Sequence, residues 1–248
     1  MKSRKLKADG VQELRKEFLE LFLESGALRI AKNTNELFKM KSGRMSPYFV
    51  NIRWLTDGES LHLIKKCYAD YIAELLNTGK LEDFDFIFGP AYAGISLAAL
   101  ACEGLYEFHG IKKRFLFDRK EEKTYGDKAA DQLIVGAAHF KPGNRILLLD
   151  DMITTGGTKI TSLDKLSVLG EHKVVGLVLL VDRQEKGGDA EKIEPWSAVE
   201  SLEKNHGLKT FAFMPMSEAF HIVKDKLSPE IRDFWTEYSK KYGAVKMQ

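Results

Sequence analysis

Two adjacent acids, Asp150 and Asp151, close an apolar run in the stretch LLLDDMITTGGTK, residues 147–159, and Thr154, Thr155, Gly156, Gly157 and Thr158 follow them. The threonines and glycines suit an anion. Glycine lets backbone amides approach a ligand closely, and amides at a helix N-terminus form a ready phosphate site. Charge-assisted hydrogen bonds contribute about 1.5–3 kcal/mol each, against roughly 0.3–1 kcal/mol from a helix dipole. Amides and hydroxyls would therefore do most of the holding. The carboxylates do the opposite: they accept from hydroxyls and bind Mg²⁺ directly or through water. A two-sided ligand reconciles the two chemistries. A sugar phosphate offers its diol to the acids and its phosphate to the loop, which keeps like charges apart.

Two other uses of these residues compete. A strand ending in Asp-Asp also serves nucleotide hydrolysis, but that needs a glycine-rich loop bearing a lysine. The nearest such loop is Gly89-Pro90-Ala91-Tyr92-Ala93-Gly94, followed by Ile95-Ser96 where Lys-Ser/Thr should stand, so this use fails. The other is a plain turn with capping threonines and surface acids. It would suit a strand end with one acid, and suits the whole block DDMITTGGT less well than ligand binding.

The neighbouring elements must position these groups. Residues 145–149 read as a strong strand, and 159–169 as a helix with Ile160, Leu163, Leu166 and Leu169 on one side and Gly170 as its stop. Residues 174–181, VVGLVLLV, are apolar throughout, as in a parallel strand covered on both faces. Upstream, 84–88 reads as a strand, 95–105 as a helix, and 115–117 as a brief strand leading into a charged stretch, 118–131. Helices are predicted over 11–24 and 61–76, with short strands and a loop over 38–53. The tail offers a strand at 210–214. A last helix is opened by Ser228 as N-cap, Pro229 at N1 and Glu230 in the first turn, with Ile231, Phe234, Trp235 and Tyr238 as its apolar face. Residues 187–191 are expected to form a flexible surface loop. Strand and helix alternating in this way predict an α/β fold with a doubly wound, mainly parallel sheet flanked by helices. Ligands of such sheets sit beyond the carboxyl ends of the strands, where Asp150 and Asp151 fall.

Bulk properties narrow the partners. The chain has 248 residues, 44% hydrophobic and 30% charged, with a net charge of +2. One large domain, or one domain with an added small lobe, is the natural expectation, without the wholly basic surface of a nucleic-acid binder. Cys67 and Cys102 form no CxxC, and the six histidines make no HxxxH pair, so no Cys- or His-based metal site is expected. Two buried free thiols would fit a reducing compartment. No apolar run reaches membrane length, and the basic arm at 1–9 lacks the apolar segment of a secretory signal. A cytoplasmic protein with neither nucleic-acid nor membrane partner is expected.

The block LLLDDMITTGGT resembles the phosphoribosyl-diphosphate motif of type I phosphoribosyltransferases, and four further stretches are similar to orotate phosphoribosyltransferases in particular. The first is KMKSGRMSPYFVNIR, residues 39–53. The likeness implies that Lys41 faces the diphosphate and that Phe49 and Val50 touch the flat pyrimidine; core packing is the other reading of Phe49. The second, FGPAYAGISLA at 88–98, resembles the family's diphosphate loop, keeping Tyr92 but carrying Ala93 where many members have lysine. The third, FDRKEEKTYGDK at 117–128, resembles the mobile catalytic loop. Arg119, Lys120 and Lys123 match it, and Tyr125 stands where histidine is common. Such cations can meet the charge that develops on a departing diphosphate, although by itself the stretch is a solvated loop that Glu121 and Glu122 partly neutralise. The fourth, LVDRQEKG at 180–187, resembles a segment whose arginine, here Arg183, contacts orotate. A guanidinium can grip a carboxylate bidentately, and pairing with Asp182 or Glu185 is compatible with that.

The resemblance runs from residue 39 to 187. It implies the type I phosphoribosyltransferase fold, a single domain over 1–248 with a small hood built from N-terminal and C-terminal segments. It implies transfer of phosphoribosyl from 5-phospho-α-D-ribose 1-diphosphate to orotate, giving orotidine 5′-phosphate and diphosphate in pyrimidine biosynthesis. Lys123, Arg119 and Asp151 are then catalytic. Lys41, Tyr92, Ala93, Arg119, Lys120, Lys123, Tyr125, Asp150, Asp151, Met152, Ile153, Thr154, Thr155, Gly156, Gly157 and Thr158 bind phosphoribosyl diphosphate, while Phe49, Val50, Thr154 and Arg183 bind orotate. Mg²⁺ enters with the substrate and meets Asp150 and Asp151 through water. The likeness further implies a homodimer whose catalytic loop is shared between subunits. Three alternatives remain: a transferase for another base, a non-catalytic nucleotide-sensing regulator on the same fold, and a plain sugar-phosphate binder. The KSGRMSPYF and DRQE segments stand against the first and the loop lysines against the second. A fused decarboxylase domain does not fit this length.

Overall fold

The computed structural model describes residues 10–119, 133–153 and 157–247, apart from the side chains of 157–159. The arm expected at 1–9 lies outside them. In chain order the strands are β1 (Leu28–Ile30), β2 (Phe38–Lys39), β3 (Met45–Ser46), β4 (Tyr48–Val50), β5 (Phe86–Gly89), β6 (Arg114–Asp118), β7 (Ile134–Val135), β8 (Asn144–Asp150), β9 (His172–Asp182), β10 (Lys186–Gly188), β11 (Ile193–Ser197) and β12 (Thr210–Pro215). The α-helices among the described residues are α1 (Gly10–Glu24), α2 (Gly58–Asn77), α3 (Ala93–His109), α4 (Gly157–Leu166), α5 (Ala198–His206), α6 (Met216–Val223) and α7 (Pro229–Tyr242).

Six strands form the central sheet in the order β12-β9-β8-β5-β6-β7. All neighbours run parallel except β7, which pairs antiparallel with β6. The apolar runs are explained by two covered faces. Ile87, Leu147, Leu149, Val178 and Leu180 point into one core, which also holds Phe18, Ile64, Tyr68, Ala98, Ala101 and Phe213. Their alternate neighbours Phe86, Phe88, Ile146, Leu148, Leu177 and Leu179 enter a second core with Leu166 and Leu202. Period-two alternation thus sends adjacent residues to opposite sides, with α1, α2 and α3 on one face and α4 and α5 on the other.

The chain order creates the site. From β5 the chain crosses through α3 to β6 on one side, whereas β8 leads through α4 to β9 on the other. β5 and β8 lie side by side, with Phe88 opposite Leu148. A crevice at this change of direction is where open parallel sheets place their ligands.

A smaller layer sits over that edge. β1 pairs with β4, β2 with β3, and β10 with β11, all antiparallel. Arg44 is 3% exposed and donates to the carbonyls of Lys186 at 2.8 Å, Gly187 at 2.8 Å and Asp189 at 3.2 Å. Tyr48 stacks on the fully buried Trp235 of α7, centroids 4.8 Å apart. As expected, Ser228 accepts from the Ile231 amide and Pro229 opens the helix. Glu230 stands in the first turn, also as expected, and accepts from the Thr34 amide and hydroxyl, tying α7 to the N-terminal segment. The hood therefore joins residues 28–50 to the C-terminal helix, with 183–197 between them.

Several expectations need correction. Residues 187–191 are not a loose loop: Gly187 and Gly188 belong to β10, and the Ala190 amide donates to the Ser42 carbonyl at 3.0 Å. Asp118 does not begin a solvated stretch, since it ends β6 and is 6% exposed. Both cysteines are free, but only Cys67 is buried; Cys102 is half-buried, its thiol donating to the Lys113 carbonyl.

Burial also sets an alkaline limit. It holds the phenols of Tyr48 and Tyr68 well above their usual range, with repulsion from Glu185 and Asp151 respectively, and raises Tyr71 to about 12. The folded chain keeps protons that the unfolded chain releases above about pH 10. Their contribution is complete below that pH and is lost as pH rises, by up to about 1.4 kcal/mol per pH unit for each tyrosine. The urea midpoint is expected to fall steeply between about pH 10 and about pH 12. A flat midpoint would show that these phenols ionise freely in the folded state.

Candidate active site

Asp150 is the last residue of β8 and is 7% exposed; Asp151 beyond it is half-buried. The corner is held mainly by backbone. Tyr68 donates its hydroxyl to the Asp150 carbonyl at 2.8 Å, and the Leu180 and Val181 amides donate to the Asp151 carbonyl at 3.1 and 3.0 Å. The carboxylates cap the turn, Asp150 accepting from the Asp151 amide and Asp151 from the Met152 amide. Met152 is half-buried and Ile153 is buried, so both serve as footing. Thr154, Thr155 and Gly156 lie outside the described residues; Gly157 and Thr158 open α4.

The turn at 89–94 flanks the acids across the β5–β8 boundary. A Cβ on Gly89 would lie 2.7 Å from Ala98 Cβ, and one on Gly94 would lie 2.6 Å from Pro90 Cδ, so no side chain fits at either glycine. The Ala91–Tyr92 peptide is cis. Tyr92 is 69% exposed, and Ala93 begins α3.

Arg119 leaves the carboxyl end of β6, next to that turn, since Phe117 pairs with Gly89. Its amide donates to the Leu133 carbonyl at 2.8 Å, and its Nε is buried with no hydrogen-bond partner among the described residues. Lys120, Lys123 and Tyr125 lie outside the described residues.

Arg183 follows β9. It is not a surface arginine: its Nη2 donates to Glu185 at 2.7 Å, and its guanidinium lies 5.2 Å from the Tyr48 ring centroid. Its Nε is buried without a partner among the described residues. Although burial works against the charge, Tyr48 and Glu185 beside it hold its pKa even above the usual guanidinium value. Gln184 between them adopts φ 54°, a left-handed conformation that costs a non-glycine residue about 1–2 kcal/mol. Three hydrogen bonds offset this: its amide donates to Asp182, its carbonyl accepts from Ala244 and its side chain accepts from the Ser217 amide.

The hood brings the first stretch to this corner. Tyr48 donates its hydroxyl to Glu185 at 2.7 Å, binding β4 to the Arg183 segment. Phe49, half-buried, lies 6.0 Å from Phe38 and 6.4 Å from Trp54, and Val50 is buried. Lys41 is exposed in the turn between β2 and β3. The sheet edge thus gathers Asp150, Asp151, the 89–94 turn, Arg119 and Arg183, and the hood adds Tyr48 and Phe49. Glu185, Tyr48 and Arg44 were not singled out from the sequence as site residues, although all three lie within quoted stretches.

The phosphoribosyl transferase domain family matches residues 59–206. An orotate phosphoribosyltransferase of Bifidobacterium adolescentis is 36% identical over 236 residues, covering 92% of this chain and 96% of that one. The chain belongs to the orotate phosphoribosyltransferase family. Orotate phosphoribosyltransferase 2 of Saccharomyces cerevisiae is 35% identical over 94% of this chain and 96% of its own length. The crystal structure of a Francisella tularensis orotate phosphoribosyltransferase has a TM-score of 0.75 and 30% identity, covering 92% of this chain and 99% of that one. The orotate phosphoribosyltransferase family thus extends over nearly the whole chain, hood included, and its fold is the one expected from alternating strands and helices.

Proposed function

We propose that this chain transfers the phosphoribosyl group of 5-phospho-α-D-ribose 1-diphosphate to orotate, as a single domain over 1–248, for pyrimidine biosynthesis. The observation that carries this is the acid pair at the β5–β8 change of direction, beside a glycine turn too tight for side chains, in a chain whose relatives bear that name. Asp150 and Asp151 orient the ribose hydroxyls, and residues 154–158 anchor the 5-phosphate. As the diphosphate leaves, C1 becomes cation-like; Arg119, Lys120 and Lys123 neutralise the departing charge and exclude water, the competing acceptor. Orotate's ring nitrogen attacks as an anion, so no strong base is needed. Phe49 lies against the pyrimidine, and Arg183 holds the carboxylate, for which its unpartnered Nε is a suitable donor.

No group of three or more His, Cys, Asp or Glu that could cage a metal occurs among the described residues. Two adjacent carboxylates fit a Mg²⁺ held mainly by substrate oxygens, with Asp150 and Asp151 reaching it through water. Such an ion supplies electrostatic clamping of the diphosphate. Under the same reading the chain is a cytoplasmic homodimer that shares its catalytic loop between subunits. No described helix is long and apolar enough to cross a membrane.

The test is turnover with phosphoribosyl diphosphate, Mg²⁺ and a panel of bases. Orotate alone should lose its absorbance and release diphosphate; turnover of a purine instead would reassign the base. Arg183→Ala is expected to raise KM for orotate about tenfold or more, the loss of one charge-assisted hydrogen bond. An unchanged KM would remove Arg183 from the base pocket.

A further inference from the structure

Asp118 and Lys165 have no part in the roles assigned above, yet three ligand-facing segments converge on them. Asp118, 6% exposed at the end of β6, accepts the Ala91 amide at 2.6 Å through Oδ1 and pairs through Oδ2 with Lys165 Nζ at 2.5 Å. Lys165, from the last turn of α4, also donates to the Arg119 carbonyl at 3.0 Å. One half-buried ion pair therefore fixes the 89–94 turn, the carbonyl of Arg119 and the helix that follows the phosphate loop. Its chemistry bears on the diphosphate. The turn contains no lysine or arginine, so apart from the Tyr92 hydroxyl it meets an anion through correctly aimed backbone amides. Rotation of the Ala91 peptide would misdirect them. Among the described residues, Asp118 is the hydrogen-bond partner that ties the Ala91 amide down.

We propose that Asp118 and Lys165 are positioning residues for the diphosphate of the phosphoribosyl donor, aligning the 89–94 turn with Arg119. The inference rests on the proposed reaction. It predicts a selective kinetic defect, because the pair touches neither the base pocket nor the acid pair. Lys165→Met and Asp118→Asn are each expected to raise KM for phosphoribosyl diphosphate about tenfold, the worth of one charge-assisted hydrogen bond. KM for orotate should change by less than about twofold. Lys165→Arg keeps the charge and should restore most of the affinity. The double variant Asp118→Asn with Lys165→Met removes both charges; its Tm should recover while the raised KM persists.

A structural role alone would lower Tm and leave both KM values unchanged in the folded protein, and that result overturns the proposal. Lys165 is at the surface end of the pair, 23% exposed, so Lys165→Met is the deciding variant should Asp118→Asn fail to fold. Wild-type turnover of orotate in the same assay separates the two readings. If the wild type is inactive, the proposed reaction falls and this inference with it; if the wild type is active and Lys165→Met matches it, only this inference falls.

Discussion

Asp151→Ala is expected to lower kcat/KM by about three orders of magnitude, with little change in Tm. The size follows from its proposed partners. A carboxylate holding a ribose hydroxyl pair makes two charge-assisted hydrogen bonds, each about 1.5–3 kcal/mol, which together span about 10²- to 10⁴-fold. The small effect on stability follows from the structure. The Asp151 side chain is half-buried and accepts the Met152 amide, while the strand corner hangs on its backbone carbonyl, which the Leu180 and Val181 amides hold. Removing the carboxylate leaves those two bonds in place. Steady-state kinetics and a melting curve check both parts. A tenfold or smaller loss of kcat/KM would mean that the ribose hydroxyls are held elsewhere.

Lys123→Ala is expected to reduce kcat about 10²- to 10³-fold, the usual cost of removing a group that stabilises transition-state charge. KM for phosphoribosyl diphosphate should change by less than about fivefold, because an interaction made only in the transition state leaves ground-state binding almost intact. Arg119, the last described residue before that stretch, leaves β6 beside the 89–94 turn. Equal losses in kcat and in donor binding would assign Lys123 to the ground state and remove it from the closing step.

The sheet was legible because buried parallel strands leave unbroken apolar runs. Residues 145–149 and 174–181 predicted β8 and β9 to within a few residues, and the alternation of strands with helices predicted the doubly wound order. The acid pair was legible for the same reason, since a strand ending in Asp-Asp marks its own carboxyl end. Less was visible after residue 187. Helix α5 was missed although Ser197 and Glu200 form a capping box, because Leu202 is its one buried residue and the periodicity is faint. Helix α6 follows Pro215, which gives no side-chain cap. The hairpin β10–β11 has an irregular register and glycines at 187 and 188, so its sequence looks like a loop. Local pattern could not reveal the pairings. Glu185 with Tyr48, and Asp118 with Lys165, lie 137 and 47 residues apart, and only the folded sheet brings them together. Lys120, Lys123, Tyr125, Thr154, Thr155 and Gly156 lie outside the described residues, so their roles rest on the resemblance.

The most direct measurement is a crystal structure of the chain with phosphoribosyl diphosphate and Mg²⁺. The account predicts the 5-phosphate on the amides and hydroxyls of 154–158, the 2- and 3-hydroxyls on Asp150 and Asp151, and the diphosphate over the 89–94 turn. Density for the donor at any other edge of the sheet, with both aspartates making no contact to it, would contradict the account.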